Sequence, residues 1–405
     1  MHKKISEKAD KVIKLILFLI SPFIAFLYSL RNMKAKSSYV VFFLFCVFFG
    51  MAFTVPSGKS EEFGLDGAVY RQIFEQSSIY NSDEYVLLLS DYAQFDEGSK
   101  DFYVISLSFL LSRLTDNYHV LFLVYAIVFA FFMLKSFRFL TEEKEFDASL
   151  LSFLLAAMFI LSNSIFNING VRFWTASWIF VYGVFQVFRN NNKRYFLLIC
   201  LSPMVHVSFY FVAALSLIAY FTKKYDRFWI TLFVVSFFIS NFSVVVLEYI
   251  SQYLPTILSR IVQSYIRESY ILKREEQIGF LKSVFDFLQW LYVNIIIFLF
   301  YKNRQIIKHL PKAYNLYLFL IIFMTLVNFT MPIPSVGGRF IMLSLPIVAY
   351  IWLLVFKGRK YNVVLYLYPV VFLFSLYRLV GLYMRVTNLE FYLMNPFYLI
   401  NKYLL

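Results

Sequence analysis

The chain has 405 residues, of which 60% are hydrophobic and only 15% charged, with a formal net charge of +14. An ordinary soluble domain is about half apolar and about a quarter charged, so a water-soluble globule is excluded. The basic residues fall in short clusters between apolar runs and form no continuous face, which argues against nucleic acid as a partner.

A bilayer core about 30 Å thick takes roughly 20 helical residues. Spans are predicted at 12–30, 39–56, 118–138, 148–166, 173–188, 228–248, 284–301, 313–331, 340–356 and 361–379. The predicted fold class is all-α, a polytopic transmembrane helical bundle of about ten crossings plus one re-entrant hairpin, with a large outer-face loop. Residues 1–405 read as a single integral membrane domain with no internal repeat.

The first run carries Lys3, Lys4, Lys8, Lys11 and Lys14 before it and Arg31, Lys34 and Lys36 after it, without a small-residue cleavage pattern. Two routes are open to it: a crossing with the N-terminus outside, or a bend at Pro22 and a return. Cys46 and Cys200 sit inside apolar runs and read as packing residues, with no support for a disulfide or thiolate site.

Residues 56–117 hold four basic against eleven acidic residues and belong outside. Within them, 101–115 reads as an interfacial amphipathic helix. Loops 31–38, 135–147, 189–194, 222–227 and 357–360 carry three basic residues each, and 302–312 carries four. These belong on the cytoplasmic side.

The 195–221 run is flanked at both ends by cations, Arg189, Lys193 and Arg194 before it and Lys223, Lys224 and Arg227 after it. Both ends are expected on the cytoplasmic side, with the run broken near Ser202-Pro203-Met204-Val205-His206 into two half-helices. Residues 249–283 form an outer amphipathic segment. Arg260, Arg267, Lys273, Arg274 and Lys282, interspersed with Glu268, Glu275 and Glu276, are expected to meet lipid headgroups there. The C-terminus falls outside.

Sidedness isolates two arginines. Arg172 follows Asn167-Ile168-Asn169-Gly170-Val171 and Arg339 follows Pro332 to Gly338, each at the outer end of a span where cations are otherwise scarce. A guanidinium grips phosphate or carboxylate with two parallel hydrogen bonds and stays charged. The structural alternative is that each snorkels to the interface or pairs with an acid of the large loop. Arg378 and Arg385, about two helical turns apart, can face the same cavity. His206 is an intramembrane ionisable group that can serve as general base or as donor to an oxygen; alternatively it satisfies backbone groups freed by Pro203. His119 and His309 lie at span edges and are given no chemistry.

The outer loop carries Asp66, Glu75, Asp91, Asp96, Glu97 and Asp101 among Tyr70, Tyr80, Tyr85, Tyr92 and Tyr103. Carboxylates with aromatic faces suit sugar rings, although such mixtures also occur in plain solvated loops. No phosphate-binding glycine loop, dinucleotide fingerprint, Cys/His metal cluster or nucleophile elbow is visible. Neither a metal nor a cofactor is expected.

Gly64-Leu65-Asp66-Gly67-Ala68-Val69-Tyr70 resembles the G-x-D-Y-x-x-Y element of the EpsG-like branch of the Wzy polysaccharide polymerases of bacterial envelopes. Asn169-Gly170-Val171-Arg172 resembles that family's N-G-[IV]-R-Q, Ser202 to Ser208 its A-x-x-F-H-x-S, and Asn395-Pro396-Phe397-Tyr398 its closing Pro-Tyr. Phe173 stands where the family has Gln, Gly67 where it has Tyr, and Val205 where it has an aromatic residue.

The resemblance implies a metal-independent membrane glycosyltransferase that polymerises polyprenyl-pyrophosphate-linked oligosaccharide on the outer face of the bacterial cytoplasmic membrane. It implies membrane lipids, a flippase and a chain-length regulator as partners. Arg172 and Arg339 are expected to bind the pyrophosphates, a carboxylate or His206 to deprotonate the acceptor hydroxyl, and Asp66, Tyr70, Asn169, Arg378 and Arg385 to bind substrate. The rival readings are a lipid-linked glycan ligase or other outward-facing glycosyltransferase and, from a different class, a flippase or transporter.

Overall fold

The computed structural model describes residues 6–57, 65–93, 102–277, 279–333, 336–356, 358 and 361–405, with the backbone path alone for 257, 273–277 and 382–384. All regular structure among these residues is helical. Seven segments are long and apolar enough to cross a membrane: Tyr118–Thr141, Leu150–Arg189, Asp226–Ser251, Phe280–Lys302, Pro311–Thr330, Gly337–Phe356 and Asn362–Gly381. The chain is a multi-pass helical membrane protein.

The difference from the ten expected spans has three sources. The run 12–30 is divided into α1 (Glu7–Ile20) and α2 (Pro22–Ser29). Ser21 between them is extended, its hydroxyl accepts from the N–H groups of Phe23 and Ile24, and Pro22 starts α2 where a missing N–H does no harm. Lys14 of α1 donates to Ser37 near the start of α3 (Lys36–Met51), and Ser38 of α3 donates to the Ser29 carbonyl at the end of α2. Both arms therefore reach the same end of α3, so the first run bends and returns. The second source is α3 itself, whose 16 residues rise only about 24 Å.

Three helices occupy the predicted outer loop: α4 (Asp66–Ser77), α5 (Ser82–Ala93) and α6 (Phe102–Ser112). The segment 101–115, read as an interfacial amphipathic helix, packs its serines on protein. Ser106, Ser108 and Ser112 are buried against protein, whereas Leu110 and Leu114 are exposed, so the polar side faces inward. Arg113 then closes the C-terminus of α4 by donating to the carbonyls of Ser77, Ser78 and Tyr80.

The next helix, α7 (Tyr118–Thr141), packs on α3 at Gly50, where a side chain would lie 2.3 Å from the Ala126 Cβ and 2.5 Å from the Phe122 carbonyl oxygen. The third source is the 40-residue segment Leu150–Arg189. It comprises α8 (Leu150–Leu161), a 3-10 turn Ile165–Gly170 and α9 (Val171–Val184), ending in a π-helical turn Phe185–Arg189. It folds back on itself, because Arg189 meets Glu143, which precedes α8.

The broken hairpin follows as α10 (Phe196–Val205) and α11 (Phe209–Thr222). Pro203 remains inside α10, and the break falls at the extended residue His206. The two flanks return to one place: Lys193 and Lys223 both lie against the Tyr220 ring. Cys46 is buried as expected, but Cys200 lies on the exposed side of α10 and packs no core.

The remaining helices are α12 (Asp226–Ile239), α13 (Ser243–Ser251), α14 (Thr256–Ile266), α15 (Glu268–Gln277), α16 (Phe280–Lys302), α17 (Arg304–Lys308), α18 (Pro311–Thr330), α19 (Gly337–Phe356), α20 (Asn362–Tyr366), α21 (Tyr368–Val371), α22 (Leu373–Val386), α23 (Leu389–Leu393) and α24 (Pro396–Tyr403). Pro369 at the head of α21 divides the last predicted span into short pieces. In α14, Val262 is buried while Arg260 is exposed, as a surface amphipathic helix requires. The core is built around α18 and α19. The segment from Asp226 to Ser251 exposes Phe238, Phe242, Val245 and Tyr249, a face suited to hydrocarbon.

One end of the bundle is gathered by Glu143. Its carboxylate accepts from Arg189 at 2.5 Å and from the Tyr350 hydroxyl at 2.6 Å, with Lys312 at 3.4 Å, while Lys34 donates to its carbonyl. Burial alone would raise the Glu143 pKa, but hydrogen bonds from Tyr350 and Arg189 and the charges of Arg189 and Lys312 outweigh it and hold the carboxyl below its usual range. The stabilisation is therefore complete above the unfolded value of about 4.3 and is lost as pH falls through the lowered folded value. Glu143→Gln is expected to destabilise by about 2–3 kcal/mol, because Arg189 is left short of a counter-charge. Thermal unfolding in detergent at neutral pH measures this, and a wild-type midpoint would refute the clamp.

Candidate functional site

At the opposite end lies a cavity of about 1530 Å³, and Asp66, Tyr70, Asn169, Arg172, His206, Arg339, Arg378 and Arg385 all line it. Residues far apart in the chain reach it through direct contacts. The Asn169 side-chain oxygen accepts from the Gly67 N–H at 3.0 Å, joining the turn before α9 to the first turn of α4. Arg172 Nε donates to the Tyr70 hydroxyl at 3.2 Å, and its guanidinium lies 5.5 Å from the centre of that ring. A side chain at Gly170 would begin 3.2 Å from Trp174 Cδ1 and 3.8 Å from Asp66 Oδ2, so the turn brings the backbone close to the carboxylate.

Phe173 joins the remaining pieces. The Arg339 guanidinium lies 5.6 Å from its ring centre, and His206 meets it edge-on at 5.3 Å. Phe209 and Phe340 pack on the same ring at 5.4 and 5.6 Å. The position where the resemblance leads one to expect Gln is thus a buried aromatic support shared by α9, the hairpin break and α19.

His206 Nδ1 accepts from the Ser208 backbone N–H at 3.2 Å and lies 2.7 Å from the Ser208 hydroxyl. In the neutral ring so bonded the proton is carried by Nε2, which can donate. Both guanidinium groups lie within electrostatic reach of it.

Electrostatics give this end its character. Arg172 and Arg339 occupy the first turns of α9 and α19. A helix N-terminus already carries about half a positive charge and spare N–H donors, so cations there are locally unfavourable and an anion is favoured. Two arginines and two helix starts thus give this part of the cavity a positive character. Among the described residues no three His, Cys, Asp or Glu side chains group as a metal would require.

The glycines before Arg339 differ in role. A side chain on Gly337 would lie 2.5 Å from Met331 Cα and 2.8 Å from its nitrogen, whereas one on Gly338 would meet nothing within 4 Å. Gly337 is required by the turn; Gly338 leaves the cavity wall open.

The sequence missed a second set of residues lining the cavity. Asp286, Gln289 and Trp290 of α16 and Asn328 of α18 line the same cavity. The available signal was polar residues at helical i, i+3, i+4 spacing in an apolar span. Lys282, expected at lipid headgroups, is on this wall and pairs with Asp286 at 3.3 Å. From the loop set, Glu75 pairs with Arg71 instead, and Asp91, Tyr80, Tyr85, Tyr92 and Tyr103 do not line the cavity. Asp96, Glu97 and Asp101 lie outside the described residues, as do the side chains of Lys273, Arg274, Glu275 and Glu276. Asn395 caps α24, away from the cavity.

The fold is that of a multi-pass helical membrane protein, with a cavity lined by two arginines in the first turns of helices. The sequence profile of the EpsG family matches residues 41–392. The chain belongs to that family, which is associated with exopolysaccharide biosynthesis. No curated protein and no solved structure gives a significant match.

Gly337→Ala is expected to destabilise by about 2 kcal/mol through overpacking, while Gly338→Ala leaves stability unchanged or slightly raised. Paired thermal unfolding curves in detergent check this, and equal losses in both variants would refute the assignment of the turn.

Proposed function

We propose that this chain polymerises polyprenyl-pyrophosphate-linked oligosaccharide repeat units into a surface polysaccharide. The observation that carries the reading is the pair Arg172 and Arg339, each in the first turn of a helix and both facing one cavity. The Glu143 end, with Lys34, Arg189, Lys193, Lys223 and Lys312, is the cytoplasmic end by its positive charge. The arginine cavity then faces outward from the cytoplasmic membrane, where lipid-linked units present their pyrophosphates near the headgroups. Its volume of about 1530 Å³ exceeds the usual 300–1,000 Å³ of a small-molecule pocket and suits a bulky glycolipid.

In the reaction, an acceptor hydroxyl of an incoming unit attacks the anomeric carbon of the growing chain. The new C–O bond forms as the bond from that carbon to the pyrophosphate oxygen breaks. Charge builds on the departing pyrophosphate, and Arg172 and Arg339 stabilise it. His206 donates from Nε2 to a phosphate oxygen. Asp66, a cavity carboxylate, takes the acceptor proton, while Tyr70 and Asn169 hold Arg172 and α4 in place. Arg378 and Arg385 on α22 draw the second pyrophosphate to the cavity.

Arg172→Ala or Arg339→Ala is expected to lower polymerisation roughly 100- to 1,000-fold, with the protein still present in the membrane fraction. Lys at either position restores only part, since the two-pronged grip is lost. Gel profiles of surface glycan from complemented deletion strains measure this. Wild-type chain lengths in both alanine variants would sink the proposal, and a single transferred unit instead of a ladder in the wild type would identify a ligase.

A further inference from the structure

A second set of residues lining the cavity is of a different kind. Along α16, Asp286, Gln289 and Trp290 face the cavity, and Asn328 joins them from α18. Trp290 Nε1 donates to Asn328 Oδ1 at 2.9 Å, which fixes the indole. Asn328 is in turn locked to Asn294 by reciprocal amide hydrogen bonds of 3.1 and 3.2 Å. Gln289 and Asn328 are only 3% and 2% exposed although both border the cavity. Gln289 Nε2 donates to the Ser375 hydroxyl at 2.7 Å, and since an amide has two N–H groups and an oxygen with two acceptor sites, that one bond does not exhaust it.

Chemically the set is uncharged apart from Asp286, whose charge is offset by Lys282. It combines acceptors, amide donors and one large aromatic side chain. A sugar ring presents the complement: hydroxyls that both donate and accept around its edge, and C–H groups on its faces. Position gives the ring its place. Asn328 and Arg339 stand on the two arms of one tight turn, closed where Gly337 packs on Met331. A ring bound at Asn328 is therefore next to a phosphate held at Arg339.

We propose that Asp286, Gln289, Trp290 and Asn328 form a saccharide subsite for the sugar attached directly to the pyrophosphate. The inference rests on the pyrophosphate reading of Arg172 and Arg339 and deepens it. The arginine end reads the leaving group, common to all such lipids, and the α16 wall reads the sugar.

The test compares binding of two probes to the purified full-length protein in detergent: bare polyprenyl pyrophosphate, and the lipid-linked repeat extracted from a deletion strain. Wild type is expected to bind the sugar-bearing lipid roughly tenfold more tightly, the scale of a few buried hydrogen bonds. Gln289→Leu removes that advantage and leaves bare-lipid affinity unchanged, whereas Arg172→Ala weakens both. Trp290→Leu, at a partly exposed position, removes the aromatic face without changing charge and gives the same reading should the buried substitution misfold, with monodisperse elution as the check. An advantage retained in the folded variants, or absent in wild type, overturns the subsite. If wild type ignores bare lipid yet its sugar preference is lost in Gln289→Leu, the subsite stands and the pyrophosphate reading falls. If neither probe binds, both fall.

Discussion

Placing two guanidinium groups at the positive ends of two helices is the constraint on which the cavity depends. Each position opposes the helix dipole, and the groups repel each other unless an anion lies between them. The protein holds them there with soft contacts: Arg172 against the hydroxyl and face of Tyr70, Arg339 against the face of Phe173. Aromatic faces attract a cation without neutralising it, and both guanidinium groups line the cavity. Phe173 also carries the His206 ring, which packs edge-on against it.

Rigidity for this arrangement comes from the other end. Arg189 closes the helical segment that begins at Val171, and Tyr350 lies on α19. Glu143 joins the two. On a helix 17 residues rise about 25 Å, so a clamp at Arg189 sets the height of Arg172 across most of a bilayer. The Gly337 turn does the same for Arg339 at short range. Among the described residues the clamp is not part of the cavity lining, and its influence passes through the length of two helices.

Much of this was legible in the sequence because the bilayer leaves few choices. Apolar run length indicated the membrane class and the break near His206, and the distribution of Lys and Arg singled out Arg172 and Arg339. All eight residues nominated as a site line one cavity, although lining it does not assign their roles. Local signals failed where tertiary packing decides. The serines of α6 look like a polar face and are buried. Asp286, Gln289 and Asn328 look like isolated blemishes in apolar spans, because only the fold brings α16 and α18 to the same wall. Phe173 looked like a loss of the family's Gln, whereas its ring supports three elements.

The most direct measurement of the central claim is a cryo-EM map of the protein with polyprenyl-pyrophosphate-linked repeat bound. The account predicts phosphate density within hydrogen-bond reach of Arg172 and Arg339 at the starts of α9 and α19, with the first sugar toward Asn328. Phosphate density elsewhere, on α4 to α6 or at the Glu143 end, with both arginines unengaged, would contradict it.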